Sequence, residues 1–169
     1  MRYASIALAV LAASPAAAEV TTSSDTSFVV TQKLNVAAPP ARLWAALIAP
    51  AQWWSSEHTW SGSAANLTLD PQAGGCWCES LPGGGVEHMR VVFVQPEKML
   101  RMRGGLGPLQ AMPVGAVLTF ELTPAADGRS TALSVTYAVA GASGLDKIAA
   151  PVDGVLGLQV ARLKAAAEK

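Results

Sequence analysis

The sequence predicts an α+β domain in which an antiparallel sheet has one covered face, and three observations carry that reading. The segments Ala116 to Thr123 and Thr131 to Val139 alternate apolar and polar positions, with Ala126-Asp127-Gly128 as the turn between them. Pro39-Pro40 opens an early helical segment whose stripe is Leu43, Trp44, Leu47 and Ile48. After Gly141 to Gly144 a long terminal segment places Val152, Val155, Leu156, Val160 and Leu163 at helical spacing, with Pro151 near its start. The order is strand, two short helices, about six strands and one long helix, which an antiparallel sheet covered on one side satisfies most simply.

Along the chain, Met1-Arg2-Tyr3, the apolar run Ala4 to Ala13 and Ala16-Ala17-Ala18 read as a basic n-region, an h-region and an A-x-A cleavage site. Residues 1–18 are therefore expected to be a signal peptide cut after Ala18, and the product to be periplasmic or secreted. The run is too short to span a bilayer, which takes about 20 residues, and no later stretch would anchor the product. Residues 19–26 read as a polar, flexible lead, and residues 27–169 as one domain. Ser27 to Val36 is β-branched and gives the first strand. Pro50 ends the first helix, a second helical turn carries Gln52, Trp53 and Trp54, and Ser55 to Ala65 forms a polar loop with His58 and Trp60. Asn66 to Asp70 is a short strand.

Cleavage removes one arginine from a chain of zero formal charge, leaving the mature protein within one charge of neutral. That excludes an electrostatic grip on nucleic acid or anionic lipid. Hydrophobic residues make up 51% of the chain against 14% charged, which excludes disorder and suits a large core or an apolar cavity.

Most of the residues able to do chemistry fall in Asp70 to Arg90, DPQAGGCWCESLPGGGVEHMR, which reads as a hairpin turned at Pro82 to Gly85. Cys76 and Cys78 share a strand face. On a flat strand their Cα atoms stand about 7 Å apart, the upper limit for a disulfide, so they are either free thiols or bridged across a kink. A zinc site would need two further ligands, and only His88 and His58 offer nitrogen, so no metal and no cofactor is expected.

Register decides the rest. Pairing Leu81 with Val86 sets Glu79 opposite His88 and Trp77 opposite Arg90; pairing Ser80 with Val86 sets Glu79 against Glu87. The first avoids opposed like charges and is the preferred register. Glu79, His88 and Arg90 then share one face. If that face lines a cavity, Glu79 orients or charges His88 as a general acid/base and Arg90 holds a ligand oxygen. If it meets water, the three form a charge ladder with Arg101 and Arg103, while Met89, Val91, Phe93, Leu100 and Met102 fill the core. The alternation of the apolar residues favours the ladder, and Val92 and Val94 argue for the cavity. Tyr137 and Gln159 are polar tips on apolar faces and join the ligand-binding candidates, as does Trp54 among the aromatics Trp44, Trp53, Trp54 and Trp60. The Leu106 to Leu109 loop is placed to gate a cavity mouth. No GxSxG elbow, HExxH, phosphate loop or dinucleotide fingerprint occurs.

VAAPPARLWAALIAPAQWW at 36–54, DPQAGGCWCE at 70–79, VVFVQPEKMLRMRG at 91–104 and the terminal helix together resemble the START-like, Bet v 1-like superfamily, and within it the polyketide-cyclase and Hsp90-activator-homologue group. The resemblance covers essentially the whole mature chain. It implies a helix-grip fold, a curved sheet wrapped around the C-terminal helix with a cavity between them. Its motifs specify fold better than function, because carriers, cyclases and co-chaperone-like proteins share it. A secretory leader sets this chain apart from cytosolic members. Three functions are therefore open: a carrier of a small hydrophobic or aromatic ligand, a polyketide cyclase/dehydratase-like enzyme using Glu79, His88 or Tyr137, and an interaction module presenting its tryptophans.

Overall fold

A computed structural model describes residues 17–169. The leader expected over residues 1–18 lies outside the described residues except for Ala17 and Ala18. Among the described residues eight antiparallel strands form one sheet: β1 (Ala17–Ser24), β2 (Ser27–Val36), β3 (Leu67–Leu69), β4 (Cys76–Leu81), β5 (Gly84–Gln95), β6 (Met99–Arg103), β7 (Gly115–Pro124) and β8 (Thr131–Ala140). Their order is β1-β2-β8-β7-β6-β5-β4-β3. Helix α1 (Pro40–Leu47) and the 3-10 turn Pro50–Gln52 follow β2, and helix α2 (Asp146–Ala167) ends the chain. This is the α+β helix-grip arrangement.

The flexible lead expected at 19–26 is instead mostly strand β1. Its Val20, Thr21 and Thr22 are β-branched and suit an edge strand. Thr21 Oγ1 donates to the Val29 carbonyl at 3.1 Å, and the Asp25 carboxylate accepts from Gly144 N at 3.0 Å, tying the first hairpin to the approach of α2.

The centre of the sheet follows the alternation. β2, β8 and β7 pair over ten residues each without a break, so Leu118, Phe120 and Leu122 on β7 and Leu133, Val135 and Tyr137 on β8 all point inward. Against this face α2 lays Leu156, Val160 and Leu163, and α1 contributes Leu43, Trp44 and Leu47. Gln32 on β2 donates to Asp153 Oδ1 of α2 at 2.5 Å, a polar pin across the same interface.

The other half of the sheet departs from the expected register. The turn between β4 and β5 uses only Pro82 and Gly83; proline presets its own φ, and Gly83 adopts the positive φ of 73° that the second turn position requires. Gly84 and Gly85 belong to β5, so Leu81 pairs with Gly84, Ser80 with Gly85 and Glu79 with Val86. Glu79 therefore does not lie directly opposite His88. Cys78 pairs with Glu87 and Trp77 with Met89, which leaves His88 as the extra residue of a β-bulge. The bulge turns two consecutive side chains inward, His88 and Met89. A second irregularity, between Val91 and Phe93 where β5 meets β6, does the reverse. Val92 and Phe93 are exposed, so Phe93 is not the core residue the alternation suggests; the Arg101 guanidinium sits 5.9 Å from its ring centre.

Cys76 and Cys78 form a disulfide with Cα atoms 5.4 Å apart, nearer than a flat strand allows because the β4–β5 register shifts at Trp77/Cys78.

Candidate functional site

Between the sheet and α2 lies a cavity of about 420 Å³. Its walls are largely apolar: Leu67, Trp77 and Leu106 from the sheet side, and Ile148, Val152, Val155 and Leu156 from α2. Glu57, His58, Thr59 and Trp60 ring its mouth. Trp77 is the inward residue between the two bridged cysteines. Its ring meets Trp54 edge-on at 4.9 Å, and the Trp77 and His88 rings are 6.1 Å apart. Trp54 thus lines the cavity, with its indole N–H donated to the His58 carbonyl at 2.9 Å. Trp53 and Trp54 are buried, so no exposed tryptophan patch forms there; Trp60 alone is 58% exposed.

Glu79 and His88 are brought together, although by a diagonal across the bulge. Glu79 Oε2 lies 2.8 Å from His88 Nε2, and both residues are buried, at 2% and 7% exposure. Trp60 N donates to the same Oε2 at 3.1 Å, and Ser61 N donates to Oε1. Burial alone would raise the Glu79 pKa, but the hydrogen bonds from Ser61, Trp60 and His88 outweigh it and hold the carboxyl below its ordinary value. An ionised carboxylate only accepts, so His88 Nε2 carries the hydrogen. The pair is therefore a buried carboxylate orienting an imidazole that forms part of the cavity wall.

Two other expected ligand contacts have different work. Tyr137 lines the cavity, yet its hydroxyl is committed at both ends, accepting from Leu106 N at 3.0 Å and donating to the Gly104 carbonyl at 3.1 Å. Burial pushes its pKa up to about 12, so it stays protonated. Gln159 is fully buried outside the cavity lining, and its Oε1 accepts from Ser55 N at 2.8 Å. Both side chains anchor loops. Tyr137 fixes the Leu106 segment and Gln159 the start of the 55–63 loop, whose far side Glu79 clamps.

Arg90 does not reach the cavity. The bulge separates it from His88 by sending it to the outer face, where it pairs with the Glu87 carboxylate and donates to the Gly74 carbonyl at 2.7 Å. The solvated reading of Glu79, His88 and Arg90 thus holds for Arg90 alone.

Several contributors escaped sequence reasoning. Ile148, Val152 and Val155 line the cavity from the first half of α2, where helical spacing marked an apolar stripe without saying that part of it faces a void. Gly104 lies against the bulge, where a Cβ would fall 2.3 Å from the His88 carbonyl oxygen; only glycine lets β5 and the Leu106 loop come this close. Its place in the Gly104-Gly105 pair was the signal available in the sequence, and its φ of 149° is the conformation that the pair permits.

Comparison with known proteins agrees with this architecture. A protein from Rhizobium leguminosarum superposes with a TM-score of 0.62 at 20% identity, covering 92% of this chain and 99% of its own. A conserved protein of unknown function from Enterococcus faecalis gives a TM-score of 0.60 at 15% identity, with coverages of 91% and 77%. A protein from Rhizobium loti gives 0.57 at 24% identity, with coverages of 83% and 96%. At these identities the likeness is one of fold. No curated protein matches the sequence. The family described as polyketide cyclase / dehydrase and lipid transport matches residues 27–168, almost the whole of the folded region, and the chain accordingly belongs to this polyketide cyclase-like family of the START/Bet v 1-like superfamily.

Proposed function

We propose that this protein is a periplasmic or secreted carrier that holds a small hydrophobic or aromatic ligand in the cavity between the sheet and α2. The observation that carries the reading is the cavity itself, whose volume of about 420 Å³ falls within the range of small-molecule sites. Its lining also fits, with an aromatic and aliphatic wall, the His88 imidazole within it and His58 at the mouth. The buried polar residues around it are mostly spent on fixing loops, which is the economy of a preformed container. Placement outside the cytoplasm is supported by the signal-peptide pattern of residues 1–18 and by the Cys76–Cys78 disulfide, a bond favoured in oxidising compartments.

Native mass spectrometry of the mature protein, expressed with its own leader and purified from the periplasm, tests this. A co-purified small molecule near one-to-one stoichiometry is the expected result. Retention of the leader with the protein in the cytoplasm would overturn the localisation. Failure of every apolar aromatic probe to bind the empty protein would overturn the carrier.

The Glu79–His88 pair favours a second reading, a cyclase- or dehydratase-like enzyme in which His88 moves protons on a reactive ligand and Glu79 holds the imidazole in position. Turnover of a polyketide-like substrate that stops in His88→Gln would support it.

A further inference from the structure

The cavity offers almost no free polar atom, and the exception defines what its ligand must carry. The Tyr137 hydroxyl is bonded at both ends, the Trp54 indole N–H is held by the His58 carbonyl, and the Thr59 hydroxyl donates to the Ser56 carbonyl at 2.7 Å. Among the described residues of the inner wall, two polar side-chain atoms lack a partner, the Trp77 indole N–H, which is sealed within the wall, and His88 Nδ1, which keeps an open position. His88 Nε2 is taken by Glu79, whereas Nδ1 makes no hydrogen bond among the described residues. Nor is Nδ1 one of the side-chain nitrogens sealed from all access without a partner, which are Trp53 Nε1, Trp77 Nε1 and Gln159 Nε2. It belongs to a side chain more than nine-tenths buried in the cavity wall. With its hydrogen on Nε2 facing Glu79, the imidazole presents Nδ1 as an acceptor.

We infer that the ligand is an aromatic or conjugated molecule bearing an acidic hydroxyl, a phenol or an enol, which donates to His88 Nδ1. This rests on the carrier reading of the same cavity. An apolar ligand without a donor would strand Nδ1 in a dry pocket, and an aprotic carbonyl would meet its lone pair; a hydroxyl shares its proton with that lone pair. The same geometry sets the direction of proton movement. As the hydroxyl O–H bond weakens, an N–H bond forms at Nδ1, the ligand becomes an oxyanion and the ring an imidazolium. The Glu79 carboxylate stays ionised throughout and stabilises the ring's charge through Nε2–H. Glu79 is thus a positioning residue and His88 the group that touches the ligand.

Two probes of nearly the same shape separate this inference from the reading beneath it: para-nitronaphthol and its methyl ether, titrated against the purified mature protein by quenching of tryptophan fluorescence. The expected result is that the naphthol binds at least about tenfold more tightly than the ether. Equal affinities would overturn the hydroxyl requirement and leave the carrier standing; no binding of either would overturn both. In His88→Phe the preference should vanish while the ether still binds, and persistence of the preference there would assign it to another group. The visible absorbance of bound naphtholate gives a second readout. Its ionisation midpoint should lie below that of free naphthol in the wild type and return toward it in Glu79→Gln, in which the stabilising charge is gone. Glu57 and His58 at the mouth and Tyr137 in the wall are the other titratable groups facing this space. A midpoint that moves with Glu57→Gln or His58→Gln but not with Glu79→Gln would also overturn the assignment.

Discussion

Strands β2, β8 and β7 and strands β4, β5 and β6 belong to one sheet, but the first three run in unbroken register while β5 slips against each of its neighbours. In the regular half every second residue is core. In the irregular half the same two-residue period is broken twice, once to bring His88 inward beside Met89 and once to send Phe93 outward beside Val92. The difference separates scaffold from site. Regular pairing buries area efficiently but offers no freedom over which face a given side chain joins, and a bulge supplies that freedom at the cost of local pairing.

Damage to the regular half should have the largest effect. Phe120 on β7 is 1% exposed and packs in the main core. Phe120→Ala should cost about 3–5 kcal/mol of stability, read as a fall in the denaturant midpoint, because it leaves a cavity that rigid neighbours fill only in part. A loss below about 1 kcal/mol would mean that this half is not the scaffold. The next largest effect falls in the irregular half. Glu79→Ala leaves Trp60 N, Ser61 N and His88 Nε2 without their acceptor and should cost about 2–4 kcal/mol. Its signature is local: amide exchange should accelerate at Trp60 and Ser61 while β7 and β8 stay protected. Uniform acceleration would show that Glu79 supports the whole sheet instead of one loop.

The same clamp has a pH dependence whose sign is set by the depressed Glu79 pKa. A carboxyl more acidic folded than unfolded contributes stability that is fully present above its unfolded value, near 4.5, and lost as pH falls through the lower folded value. Acid should therefore loosen the 55–63 loop first. The wild type should lose more thermal stability than Glu79→Gln as pH falls below 4.5. Parallel losses in the two proteins would remove Glu79 as the acid-sensitive latch.

What could be read in advance divides along the same line. Alternation through Leu118, Phe120 and Leu122, and through Leu133, Val135 and Tyr137, was sufficient for β7 and β8 because their pairing is regular. The Glu79–His88 pairing was visible as two titratable residues near one turn, but the preferred register reached it by the wrong route, treating Gly84 as turn where it is strand. Bulges are backbone choices, and nothing in VEHMRVVFV states that His88 and Met89 both face inward while Val92 and Phe93 both face outward. The disulfide was left open for the same reason, since flat-strand geometry puts the cysteines near the limit and only the register shift brings them within reach. Tyr137 and Gln159 were correctly picked out as polar tips on apolar faces, yet side-chain chemistry cannot tell a ligand contact from a loop anchor when the loop arrives from a distant part of the chain.

A smaller effect follows from the disulfide. It closes a very short loop, so the chain-entropy model assigns it only about 1–2 kcal/mol. Replacing both cysteines by alanine should lower the melting temperature modestly, but Trp77 projects between them into the cavity, and its fluorescence and the affinity for an aromatic probe should change more than the stability loss suggests. Unchanged probe affinity would show that the bulge holds its shape without the bridge.

The smallest expected effect tests the outer face of the bulge. Arg90 and Glu87 pair in solvent, and exposed ion pairs contribute little because water screens them and ordering two long side chains offsets the attraction. Arg90→Ala should leave the melting temperature and the affinity for an aromatic probe unchanged within error, even though Arg90 lies two residues from His88. That contrast is the most direct test of the bulge. In unbroken register Arg90 and His88 would share a face and respond together. With His88 inserted as the extra residue they belong to opposite sides of the sheet, and only His88→Phe should alter binding. Matched losses from both substitutions would return Arg90 to the cavity and require the regular pairing that the bulge replaces.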